Sequence, residues 1–471
     1  MSDPQHTSRD ELCFSSATRI AGMIARREVS PVEVVEAVLE RAERLQPLLN
    51  VFALITADDA RTAARQAEAA VMRGDALGPL HGVPITIKDN VPMQGLPMRN
   101  GSVAFADFVP SQDAAVVARV RRAGAIPIGK TNLPEFAHKV LTDSPMFGLT
   151  RSPWSLVHTP GGSSGGASAA LAAGIAPIAI GSDGGGSIRC PAACTATVGL
   201  KATLGRIPFE TFPDAFANYA FVGPMARTVE DLPLMLSVMA GPYDDDPYSL
   251  ATGPFVPHPV EDSTAGLRVA WIERFGDVRP DADVAAAATS AVEMLAALGA
   301  HVETPQVPEL ERVFDTYVVI ATTAHAARYQ ALAEKFGDRL TESIRQSIAR
   351  GLTYSAADWQ RAHDRRTVLF RAVQRLFDRF DLIVTPAMTT PAKTVDAGGS
   401  IATQMYGEWA GYLYPFNLTG HPAMSLPCGF SPAGLPMGLQ LIGPWFGEQR
   451  MLDVALMLER TGRWIERRPK I

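Results

Sequence analysis

Disulfides, metal-ligand clusters, basic patches and long apolar runs are all scarce in this sequence, and each scarcity excludes a class of protein. The 471 residues include four cysteines, Cys13, Cys190, Cys194 and Cys428, and no CxxC pair. A disulfide framework is therefore excluded, and a reduced, cytoplasmic setting is expected. Cys190 and Cys194 would be neighbours only if their segment were helical. The nine histidines are scattered, with no HxxxH and no Cys/His cluster, so neither a metal nor a cofactor is expected. Lys and Arg (43) are outnumbered by Asp and Glu (49), for a net charge of −6. That balance argues against a nucleic-acid partner, because such affinity rests on clustered cations that release counterions. The densest basic run, residues 361–375, is interspersed with apolar residues and reads as a solvated helix face. No apolar run reaches the ~18 residues of a membrane span. The opening MSDPQHTSRDELCF has no basic stretch followed by an apolar core, so no secretory signal and no membrane partner are expected. There is no internal repeat and no low-complexity segment.

What is present is a composition able to bury a large core, 47% hydrophobic and 20% charged, with 39 glycines. The length allows about three domains or one wide α/β unit. Residues 15–75 carry helical periodicity, and Ser30-Pro31-Val32-Glu33 is a capping box with proline at the first helical position. Val83, Ile85 and Ile87 alternate as in a strand that ends in Lys88. Helix then strand follows in DAAVVARVRRAG-AIPIG and again over residues 164–180, which suggests βαβ units and a largely parallel sheet. Residues 243–261 read as an exposed connection. Residues 267–272 read as a strand, 283–298 and much of 310–380 as helix, and Leu382-Ile383-Val384-Thr385-Pro386 and MGLQLIG as late strands.

Residues 124–131, GAIPIGKT, satisfy the GxxxxGK[ST] pattern of phosphate-cradling loops. The context contradicts it. A helix precedes the glycine, the loop positions are apolar, and Pro127 has no N–H to donate.

The most constraining stretch is residues 159–189, TPGGSSGGASAALAAGIAPIAIGSDGGGSIR. Glycine permits strained dihedrals and lets backbone N–H groups face a ligand, which is what an acyl-transfer nucleophile beside an oxyanion hole requires. A serine hydroxyl needs an adjacent base. No histidine lies in a GxSxG context, so a Ser-His-Asp triad has no support here. Lysine is the alternative, and it works only when burial or positive neighbours hold it neutral. Lys88, at the end of an apolar strand, is placed for that.

The segments GVPITIKDN, GKTNLPEFA, PGGSSGGASAALAAG, GSDGGGSIRCPAA, GPMARTVEDL and GLPMGLQLIG resemble, in the same order and across nearly the whole chain, those of the amidase signature hydrolases. The resemblance implies one α/β/α domain, residues 1–471, around a large mixed central β-sheet. Within it, residues 1–75 form an N-terminal helical layer, 76–240 the catalytic core, and 241–471 the substrate side and last strands. It also implies a Ser, cis-Ser, Lys triad. By motif the nucleophile is Ser187, the bridging serine Ser163 and the base Lys88. Gly184, Gly185 and Gly186 with Ser187 would form the oxyanion hole, and Asp183 and Arg189 would brace the loop. Three departures from the family pattern stand out: Ala202 in GLKAT replaces a proline, Cys194 lies in an unusual ACTA stretch, and Gly184 replaces a larger residue, leaving space near the carbonyl.

Ala137, His138 and Gly162 are candidate substrate contacts. Tyr317, Trp359, Met405, Tyr406, Trp409 and Tyr412 could supply an aromatic wall. The expected substrate is a small neutral aryl or alkyl amide, with carbamates and esters presenting the same carbonyl. The protein is expected to be a monomer or homodimer. The alternative is the glutaminase component of a tRNA-dependent amidotransferase, its A subunit, a member of the same family that works with partner subunits. LPEFAHKV at residues 133–140 favours the free-standing hydrolase, because the amidotransferase component usually has a Gly/Ser-rich sequence there.

Overall fold

A strand that ends in a buried lysine sits near one flank of the molecule's main sheet. The computed structural model describes residues 8–258, 263–395 and 408–471. The first half carries helices α1 (Arg9–Cys13), α2 (Ala17–Ala25), α3 (Pro31–Leu49), α4 (Ala57–Arg73), α5 (Ala115–Arg122), α6 (Gly165–Ala172), α7 (Arg189–Thr195) and α8 (Asp231–Met239). Strands β1 (Phe52–Ile55), β2 (Pro84–Lys88), β3 (Ile126–Thr131), a small pair β4 (Asp143–Ser144) and β5 (Gly148–Leu149), β6 (Ile178–Asp183), β7 (Val198–Lys201) and β8 (Phe221–Ala226) alternate with them. The second half adds β9 (Arg268–Trp271), α9 (Ala282–Ala297), β10 (His301–Glu303), α10 (Val313–Phe336), α11 (Glu342–Gly351), α12 (Ala356–Leu376), β11 (Leu382–Pro386), α13 (Tyr414–Thr419), β12 (Ala423–Phe430), β13 (Pro436–Ile442) and α14 (Glu448–Gly462).

Eleven strands form one sheet in the order β1-β3-β2-β6-β8-β7-β12-β13-β11-β9-β10. The chain is thus a single α/β domain with a large mixed sheet covered by helices. The expectation of a largely parallel sheet is corrected. β2 runs parallel to β3 and β6 on one flank, and β9 to β11 and β10 on the other. From β6 through β8, β7, β12 and β13 to β11 the pairing is antiparallel. Helix–strand alternation identified the flanks. The centre combines one short return, β12 to β13, with long-range antiparallel pairs such as β7 with β12, and antiparallel neighbours need no crossover helix.

The capping box forms as read. Ser30 accepts from Val32 N–H and Glu33 accepts from Ser30 N–H, opening α3. The N-terminal layer is not purely helical, because β1 pairs antiparallel with β3. Four residues are too short to register as a period among long helices. The GxxxxGK[ST] pattern falls as the sequence context required: Gly129, Lys130 and Thr131 lie inside β3, and Lys130 Nζ donates to Val91 O at 2.6 Å. Along α12 the basic face holds as read for Arg361, Arg365, Arg371 and Arg375. Arg366 turns inward and donates to the carbonyls of Leu418 and Asn218, each at 2.6 Å. Segment 243–258 is a connection without helix or strand, pinned where Asp246, Ser249, Thr252 and Phe255 are buried. All four cysteines are buried free thiols, and Cys190 and Cys194 do share helix α7. No described helix is long and apolar enough to cross a membrane.

Asp231 joins the N-terminal layer to this framework. Its buried carboxylate accepts from Ala17 N–H and Thr18 N–H, both at 2.9 Å, capping α2 from a residue more than two hundred positions away. Asp231→Ala strands those donors, and chemical denaturation is expected to show a loss of about 1–3 kcal/mol. An unchanged midpoint would contradict this account of how the layer is held.

Candidate active site

The carboxyl ends of β2 and β6 point the same way, and the polar residues of both motifs collect beyond them. In open α/β sheets this is where ligands bind. β2 is buried along its whole length, and Lys88 is fully buried with it. Lys88 Nζ lies 2.7 Å from Ser163 Oγ, 2.9 Å from Ser182 Oγ and 3.4 Å from Ser182 O. Three partners satisfy the nitrogen in either state. As ammonium it donates three times; as amine it accepts from Ser163 and donates twice. Burial decides between them and drives the lysine well below its ordinary value, against the opposing pull of the Asp183 charge.

Ser163 enters through a cis peptide bond from Gly162, and Ser164, the next residue, leads into α6. Ser164 N–H donates to Ser187 O at 3.1 Å, and Ser164 Oγ donates to Ser182 O at 3.1 Å, so the two Gly/Ser loops are tied to each other. Gly185 and Gly186 are required by close approach. A Cβ on Gly185 would stand 2.2 Å from Tyr317 Oη, and one on Gly186, at φ +115°, 2.4 Å from Leu413 Cδ1. At Gly184 a Cβ would meet only Ala220 and Tyr219 at 3.8 and 3.9 Å, so the space expected there is present.

Asp183 and Arg189 form a fully buried bidentate pair, Nε to Oδ2 and Nη2 to Oδ1 both at 3.0 Å. The remaining valences are filled. Asp183 accepts from Gly186 N–H at 2.6 Å, Ile188 N–H at 3.2 Å and Asn417 Nδ2 at 2.9 Å. Arg189 donates to Leu413 O at 2.9 Å, Gln440 Oε1 at 2.6 Å and Asn417 Oδ1 at 2.6 Å. The guanidinium and these hydrogen bonds outweigh burial and hold the carboxyl well below the usual range.

A cavity of about 430 Å³ opens over Ser163, Ser187, Gly184 and Gly185. Ala137 and His138 line it. Gly162 and Gly186 are placed differently. Gly162 is not on the wall, because its Cα backs onto Val140 at a spacing where a Cβ would sit 2.8 Å from the Val140 carbonyl carbon. The Gly186 N–H is engaged by Asp183 Oδ1, whereas the N–H groups of Gly184, Gly185 and Ser187 have no acceptor among the described residues. The aromatic wall also differs. Tyr317 belongs to it, but Trp409 and Tyr412 are core residues, Trp359 packs at a tilt against His363 along α12, and Met405 and Tyr406 lie outside the described residues. The wall is built instead by Phe105, Phe136, Phe209, Phe212, Tyr219 and Tyr329. These rings are scattered in sequence and carry no periodic signal. Arg328 is the other missed residue; its guanidinium lies 4.4 Å over the Phe212 ring.

Two serines and N–H groups without an acceptor among the described residues thus meet at one cavity, with a buried lysine behind Ser163. A family model described as Amidase matches residues 33–452. The chain is 34% identical over 426 residues to an acylamidase of Rhodococcus erythropolis, covering 87% of this chain and 88% of that one. It is 37% identical over 470 residues to the A subunit of the glutamyl-tRNA(Gln) amidotransferase of a Synechococcus strain, covering 94% and 95%. Among solved structures it is similar to a bacterial aryl acylamidase of the amidase signature family (TM-score 0.89, 29% identity, 96% and 97% covered). It is also similar to a 6-aminohexanoate cyclic dimer hydrolase (TM-score 0.86, 31%, 97% and 99%). The chain belongs to the amidase signature family, and it is an enzyme of that amide-hydrolysing class.

Because Asp183 and Arg189 are both sealed from water, removing one leaves the other uncompensated. Arg189→Met is expected to cost about 3–5 kcal/mol in thermal or denaturant unfolding. A midpoint within experimental error of the wild type would contradict the assignment of this pair as the brace of the loop.

Proposed function

We propose that the protein hydrolyses the C–N bond of neutral aryl or alkyl amides through an acyl-enzyme on Ser187. The observation that carries this reading is the buried, depressed Lys88 at 2.7 Å from Ser163 Oγ. Neutral Lys88 takes a proton from Ser163 as Ser163 takes one from Ser187, and Ser187 Oγ bonds to the substrate carbonyl carbon. The resulting oxyanion is held by the N–H groups of Gly184, Gly185 and Ser187. Gly186, whose N–H serves Asp183, shapes the loop. Collapse breaks the C–N bond, and the relay runs backward to protonate the leaving amine. Water then attacks the acyl-enzyme by the same relay. The aromatic wall suits an aryl or alkyl group, and carbamates and small esters present the same carbonyl to the same groups.

A second reading, the glutaminase component of a tRNA-dependent amidotransferase, is favoured by the 37% identity to the Synechococcus protein. Copurifying partner subunits and glutaminase activity would establish it.

Intact mass spectrometry after exposure to a fluorophosphonate is expected to show one adduct on the native chain and none on Ser187→Ala. Anilide turnover in that variant should fall on the order of 10⁶-fold where chemistry limits. No adduct on folded native protein would contradict the reading.

The pH dependence has a definite sign. The base acts only when unprotonated, so kcat/KM should fall as acidification protonates Lys88, and Lys88→Arg, which cannot shed its proton, should be inactive throughout. A rate indifferent to acid while the fold survives would exclude lysine as the base.

A further inference from the structure

The catalytic cavity has a second space behind it. A chamber of about 70 Å³ lies between α10 and α11, and His138, Tyr317, Ala321 and His325 line both spaces. The chamber's other walls include Phe314, Val318 and the α11 residues Ser343 and Ser347. Gln346 and Arg350, also on its wall, are exposed, so its far side reaches the surface.

The shared wall is a constructed partition. The rings of His138 and His325 meet edge to face, centroids 6.4 Å apart. Each is fixed by a serine of α11, and the two serines are four residues apart on one helix face. His138 Nδ1–H donates to Glu135 O at 2.6 Å, which leaves Nε2 to accept from Ser343 Oγ at 2.7 Å. His325 Nδ1 is 2.8 Å from Ser347 Oγ. Burial, with smaller contributions from Lys139, Arg328 and the neighbouring histidine, holds both imidazoles neutral, at about 3 and about 4. The partition is therefore an uncharged surface suited to stop an apolar group. It is held by hydrogen bonds that side-chain truncation removes without cutting the backbone.

We propose that the His138–His325 pair is the length gauge of the substrate pocket. The distal end of the substrate's hydrocarbon group stops against it, and the chamber behind it is a latent extension for a longer alkyl or aryl substituent. This rests on the reading of Ser187 as the reacting serine. His325 is the side chain through which the limit is tested, because it stands on α10, lines both spaces and has its ring held by Ser347.

The test is the rate of Ser187 labelling by alkyl fluorophosphonates of increasing chain length, paired with kcat/KM for anilides lengthened on the acyl side and, separately, on the amine side. The ratio of long-chain to short-chain rates is compared in wild type, His325→Ala, and His325→Ala with Ser347→Trp, which refills the chamber. The ratio is expected to rise at least about tenfold in His325→Ala, for the probes and for one of the two anilide series, and to return towards the wild-type value in the double variant. His325→Val, which keeps α10 packed, carries the same expectation if the alanine variant does not fold. A ratio unchanged in the folded single variants would overturn the gauge while leaving the reactive serine intact. A ratio that rises but does not return on refilling would overturn the role of the chamber. Wild type that takes no probe at all would instead defeat the reading of Ser187, and the gauge with it.

Discussion

Desolvation of one amine is the constraint around which this molecule is arranged. Lys88 ends a fully buried strand flanked in the sheet by β3 and β6, which run parallel to it, so its amine meets serine oxygens and no bulk water. Removing water disfavours the ammonium form. The chief opponent is Asp183, whose negative charge favours protonation. Arg189 counters it from within the same buried pair. The Asp183–Arg189 brace of the Ser187 loop and the electrostatics of Lys88 are therefore one arrangement: an unpaired carboxylate at position 183 would both loosen the loop and favour the charged form of Lys88.

That arrangement explains why the second half of the chain matters to chemistry carried by the first. Leu413, Asn417 and Gln440 supply the acceptors that Arg189 needs beyond Asp183. Leu413 also presses against Gly186, and Tyr317 against Gly185, so the loop is shaped by contacts from α10 and from the segment entering α13. The antiparallel centre of the sheet carries β12 and β13 next to β7, and α7, which begins at Arg189, packs on both. The late strands and the Ser187 loop are thus in direct contact through α7.

Local chemistry was legible in the sequence; convergence in space was not. Lys88 stood out because a charged residue closes an apolar alternation, and the Ser30 capping box and the broken phosphate-loop pattern could be judged from neighbouring residues alone. The mixed order of the sheet could not, since strands such as β8 and β12 are continuous apolar segments without a marker of direction. The cavity wall escaped for a related reason. Phe136, Phe212, Tyr219 and Tyr329 come from separate segments, whereas Trp409 and Tyr412, grouped in sequence, are core. Spacing places the Gly186 N–H beside Ser187 but does not show that a carboxylate three residues earlier accepts from it.

The central claim is that Lys88 is a neutral amine in the folded enzyme, and its protonation state can be observed directly. Carbon-13 NMR of protein labelled at lysine Cε, with the resonance assigned by Lys88→Met, follows that one group through a pH titration. The account predicts that Lys88 stands at the neutral-amine position at a pH where surface lysines are still ammonium, and that it moves to the charged position only on acidification. A Lys88 resonance that titrates together with the surface lysines would contradict it.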